Sequence, residues 1–114
     1  MSITKTTKQS WEEYPIAGSI LNVQKDGNEK VLLSSGIIEA VDNAGEDALA
    51  TVIDMPTKSL DDDPDGNYTD NMLSVKCKGG TEAGSPYIVT FKMPTTEGNK
   101  WEVDMKLVIK EVTG

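Results

Sequence analysis

The chain has 114 residues, enough for one domain with its own core. Its 19 acidic residues outnumber 11 basic ones, all of them lysine, for a net charge of −8. The absence of histidine removes Ser-His-Asp and Cys-His pairs and imidazole zinc sites, and the absence of arginine removes the bidentate clamp for phosphate or guanine. So acidic a chain is expected to have no nucleic-acid partner.

Residues 1–10 are rich in threonine, lysine and serine, with Ile3 the only apolar side chain after Met1. They read as a flexible N-terminal arm, or an edge strand that orders on contact, ahead of one domain over 11–114. The segment has no apolar h-region, so no signal peptide is expected. No apolar run approaches the ~18 residues of a membrane span. Next, Trp11, Tyr14 and Ile16 suggest a strand packed on the core and closed by Gly18. Ser19–Val23 is a short apolar piece, and Asp26-Gly27-Asn28 is a turn signal.

Glu29–Asp42 reads as one long strand whose apolar residues change parity across a bulge at Ser34-Ser35-Gly36. Asn43–Asp47 is a turn. Ala48–Asp54 is a further strand closed by Pro56, and Thr57–Asn71 is a polar, acidic loop. Met72–Lys78 alternates Leu73, Val75 and Cys77 on one face. Cys77 is therefore expected to be a buried small apolar side chain, with Lys76 and Lys78 pointing the other way. Gly79–Pro86 reads as a hairpin turn. Tyr87–Met93 and Trp101–Lys110 alternate cleanly around the glycine-containing loop Pro94–Lys100. The last three strands are expected to form a meander. About seven antiparallel strands with no prominent helix predict an all-β, immunoglobulin-like sandwich. Trp11 and Trp101 are expected to pack on its core rather than stack on a sugar.

The strongest local motif is Asp61-x-Asp63-x-Asp65-Gly66, the first half of a calcium loop. Alternate carboxylates can converge on a hard cation, and glycine permits the sharp turn. Asn67 and Thr69 sit where further oxygen ligands would fall, so a calcium site would comprise Asp61, Asp63, Asp65, Asn67 and Thr69. The twelfth position is Met72 instead of a bidentate glutamate, so the ordinary reading is a solvated acidic loop with no cofactor. Gly79-Gly80-Thr81-Glu82-Ala83-Gly84 lacks the Lys-Ser/Thr of a phosphate loop. Neither Glu12-Glu13 nor Asp61-Asp62-Asp63 has a pocket suited to acid–base catalysis, so no catalytic residue is assigned.

Three segments resemble the small immunoglobulin-like virion proteins of tailed bacteriophages and prophages. They are Lys8-Gln9-Ser10-Trp11-Glu12-Glu13-Tyr14, then Met72–Val89 with its Gly79-Gly80 and Tyr87, and the closing hairpin from Thr95 to Val112. The longer, more acidic Thr57–Asn71 and the Ser85-Pro86 turn depart from that pattern. The resemblance implies a non-enzymatic structural or adaptor protein of the neck, tail or fibre-attachment type. Its partners would be other virion subunits, and it would assemble in the bacterial cytoplasm. A second reading of the same fold is an extracellular or cell-surface module that binds calcium or carbohydrate.

The charge is segregated. Residues 39–70 hold ten acids and one lysine, Lys58, a net −9, whereas the rest of the chain is +1.

Overall fold

The computed structural model describes residues 4–21, 23, 28–62 and 68–111. Among these residues seven strands form two packed sheets: β1 (Thr4–Lys8), β2 (Tyr14–Ser19), β3 (Ile37–Val41), β4 (Ile53–Asp61), β5 (Met72–Cys77), β6 (Tyr87–Pro94) and β7 (Lys100–Ile109). A single helical turn, α1 (Leu49–Val52), precedes β4. One sheet runs β1-β7-β6-β3 and the other β2-β5-β4; every pairing is antiparallel except β1 with β7. The β2-β5-β4 and β3-β6-β7 groupings follow the B-E-D and C-F-G strands of immunoglobulin domains. The first strand has moved to the far side of the last one.

Period-two patterning makes the inner faces. Ile16 and Ile20 from β2 and its end, Leu73, Val75 and Cys77 from β5, Val89, Phe91 and Met93 from β6, and Leu107 and Ile109 from β7 are all buried. Each such side chain contributes about 1.5–3 kcal/mol when fully removed from water. Gly18 lies inside β2 and does not end it. A Cβ there would sit 2.6 Å from Cβ of Phe91, so the facing sheets meet at this point through a missing side chain. Tyr87 opens β6, and its phenolic oxygen accepts the Thr81 amide at 3.1 Å, a tyrosine corner between β5 and β6. Val89, two residues on, fills with an apolar side chain the place antibody domains give to a cysteine.

Several sequence expectations need correction. The last three strands are not a meander: β5 belongs to the other sheet, and Gly79–Pro86 crosses between the sheets instead of turning a hairpin. Alternation marks a strand but not its partner. The long element at 29–42 keeps only β3. Upstream of it, the Val31 amide donates to Asp70 O and the Leu32 amide to Pro94 O, so this stretch crosses one end of the sandwich. Ala48–Asp54 begins as α1, and the change from helix to strand lets the neighbours Val52 and Ile53 both point inward. Pro56 does not close that strand. It sits in the irregular stretch between Asp54 and Ser59 of β4, an edge strand that tolerates the missing donor. The expected loop therefore gives up residues 57–61 to β4. Of the two readings of the N-terminus, Thr4–Lys8 takes the edge strand.

Candidate functional site

The acidic loop follows β4. Asp63, Asp65 and Asn67 lie outside the described residues. Asp61 Oδ1 accepts the Asp62 amide at 2.8 Å, and Asp62 Oδ1 accepts the Asp70 amide at 3.0 Å. The hydroxyl and carbonyl of Thr69 both accept from the Lys30 ammonium. Among the described residues, no three acidic or cysteine side chains gather closely enough to hold a metal ion.

The same end of the sandwich carries a denser polar network. Glu29 is buried, and its Oε2 accepts from Thr95 Oγ1 at 2.8 Å, Asn99 Nδ2 at 2.7 Å and Trp101 Nε1 at 3.2 Å. The backbones of Lys30 and Thr96 are tied as well, with the Thr96 amide on Lys30 O at 2.9 Å and the Lys30 amide on Thr96 Oγ1 at 3.1 Å. These bonds fix the β6–β7 hairpin against the segment entering β3. Trp101 packs against the core as expected, with its indole nitrogen on Glu29.

Beside this network lies a groove of about 590 Å³ lined by the apolar Ile37, Met93, Pro94 and Trp101 and by the charged Lys92, Lys100 and Glu102. Ile37 is 52% exposed, and Leu32 and Leu33, just upstream, are 38% and 37% exposed. Lys92 reaches across the outer face of the sheet to Glu39 at 2.7 Å, and that carboxylate holds the Lys92 ammonium above its usual range. β3 is an edge strand, yet its backbone is stoppered at both ends. Gly36 O accepts from Lys58 Nζ at 2.7 Å, and Ala40 O accepts from the Ala48 amide at 2.8 Å. A lysine across an edge is a known guard against strand-to-strand aggregation.

At the opposite end, the turn between β1 and β2 is built around Lys8. This lysine is only 2% exposed, and its ammonium donates to Gln9 O at 2.7 Å, Ser10 O at 3.1 Å and Gly79 O at 2.8 Å. Burial pulls its pKa down; the nearby Cys77, Glu12, Glu111 and Glu13 act in the opposite direction. The Ser10 amide donates to Glu111 Oε1 at 2.7 Å, and the Ser10 side chain, with this amide second, holds the Glu111 carboxyl below its usual range. Cys77 is fully buried as expected, and burial pushes its thiol up. Trp11 overturns the expectation of core packing: it is 84% exposed at the crest of the turn.

Sequence reasoning misses Lys8 and Glu29, because each is a charged residue in a polar stretch. The exposure of Trp11 was readable only in its acidic neighbours, Glu12 and Glu13. No helix among the described residues is long and apolar enough to cross a membrane. No protein-family model matches the chain, and neither does any curated protein sequence.

Proposed function

We propose that this chain is a non-enzymatic structural or adaptor subunit, of the kind built into tailed-phage virions, that works through protein contacts. The observation that carries this reading is the exposed apolar side chain of Ile37 in the groove at β3, β6 and β7, with Leu32 and Leu33 also exposed on the segment that leads into β3. Three apolar side chains within six residues of chain, each 37–52% exposed, fit a surface that a neighbouring subunit covers. The stoppered backbone of β3 favours a side-chain contact there over strand addition. The sequence resemblance supplies the virion setting.

The test is to purify phage particles on a density gradient from the strain that encodes the chain and to assay the fractions with a specific antibody. The reading expects the chain in the particle fraction. A chain found only among the soluble proteins while intact particles form would refute it.

A further inference from the structure

The turn between β1 and β2 is held more tightly than a surface connection requires. Its backbone is pinned by the Glu12 amide on Gln9 O at 3.2 Å, the Gln9 amide on Glu12 Oε1 at 2.5 Å and the Ser10 amide on Glu111 Oε1 at 2.7 Å. The Lys8 ammonium fastens Gln9 O and Ser10 O from below. A buried ammonium is costly unless fully hydrogen-bonded, and here its bonds fix this turn and tie it to Gly79. The turn presents Trp11 at 84% exposure, far beyond the 37–52% of the other large apolar side chains exposed among the described residues. A tryptophan on a rigid support has already lost the freedom that binding would otherwise remove, which is how interface anchors behave.

The surroundings select the occupant. A groove of about 420 Å³ at the foot of the turn is lined by Glu12, Glu111, Lys8 and Lys110. Glu82 joins through its Oε1, which accepts the Glu111 amide, and Glu13 follows in the chain. The turn thus gathers four carboxylates against two ammonium groups, and one of those is buried facing inward. A cation stacked on the indole with its charge toward the glutamates satisfies both features, and a guanidinium does so best because it is planar and forks. A second copy that docked by the same turn would bring the same excess of carboxylates against this one.

We propose that the Trp11 turn is a docking surface for a basic segment of a partner protein, which seats an arginine side chain over the indole and between Glu12 and Glu111. The proposal rests on the reading of the chain as a contact module and names the chemistry of one partner.

The experiment is a titration of the full, ¹⁵N-labelled chain with a glycine peptide bearing arginine, followed by NMR. A matched peptide carries citrulline, which keeps the shape without the charge. The two indole N–H signals are assigned with Trp11→Phe. The arginine peptide is expected to move the Trp11 indole and the amides of residues 10–13 and 111, leaving the Trp101 indole in place; the citrulline peptide should move none of them. Trp11→Ala should weaken binding about tenfold without lowering the melting temperature, and Glu12→Gln with Glu111→Gln should weaken it further. Equal binding by Trp11→Ala, or shifts spread over the acidic surfaces without the Trp11 indole, would overturn the proposal. So would a Trp11 signal that moves with protein concentration alone, because the occupant would then be a second copy. If the chain is found in particles but these shifts are absent, the contact-module reading stands and this surface falls. If the shifts occur and particles lack the chain, the arginine site stands and the virion setting falls.

Discussion

Lys8 carries its charge into the protein with the carbonyls of Gln9, Ser10 and Gly79 as company, and its depressed pKa means that burial outweighs the nearby negative charge. The sign of the pH effect follows. Between the lowered folded pKa and the unfolded value of 10.5, the unfolded chain binds more protons, so Lys8 makes stability rise with pH. Replacing it by methionine strands three carbonyls and should destabilise the fold at neutral pH, by about 1–3 kcal/mol per unsatisfied buried group. Denaturant melts should then show the gap between wild type and Lys8→Met widening as pH rises toward 10.5; a narrowing gap would refute this account. Gly18 is the apolar counterpart. Its missing Cβ makes room for Phe91, so Gly18→Ala should cost about 1–3 kcal/mol in a urea melt, and an unchanged midpoint would show that the sheets can move apart there. Residues differ in how openly the sequence declares them. Cys77 alternates with Leu73 and Val75, and its burial could be read directly. Lys8 and Glu29 could not, because their roles depend on chain segments 71 and 66–72 positions away.

Most strands announced themselves by period two: β2, β5, β6 and β7 lie close to where apolar alternation puts them. What failed was the choice of partners and the shape of the stretches between. The crossing from β5 to β6 passes through Gly79 and Gly80, both at positive φ, and a local glycine pattern does not say whether the chain turns back or changes sheets. Only the long-range register, Met72–Cys77 against both β2 and β4, decides it. β1 is the clearest case of tertiary structure prevailing over composition. Thr4–Lys8 has no apolar alternation, yet it pairs in parallel with Met105–Ile109 and is closed against β2 by Thr6 Oγ1 and Tyr14 Oη at 2.8 Å. Deleting residues 1–8 should therefore lower stability by more than about 2 kcal/mol, the ladder bonds and the Lys8 clamp each counting for roughly 1 kcal/mol. A truncated chain that melts like the full one would make β1 an ornament.

At the scale of the whole molecule, the loops divide into two ends with different chemistry. One end joins Asp61-Asp62, Thr69-Asp70, the Lys30 segment and the β6–β7 hairpin, held together by Glu29, Asp70 and Thr96. The other joins the Trp11 turn, Glu111 and the Gly79–Pro86 crossing, which Asn43 also ties down through its amide on Gly84 O at 2.9 Å. Between them, the outer side of the four-stranded sheet carries Ile37, which follows the exposed Leu32 and Leu33 in the chain. The fold class was legible in the sequence because β2, β5, β6 and β7 leave a periodic trace; the surfaces were not, because exposure is decided only once the sheets are packed. The surface at Ile37 is the proposed place where the chain meets its neighbour. It is tested most directly by measuring the particle-bound fraction of Ile37→Asp beside wild type on the same density gradient, with the melting temperatures of both. Because Ile37 is 52% exposed, the variant should fold with nearly unchanged stability and lose most of its association with particles. A variant that folds and still enters particles at the wild-type level would contradict the account.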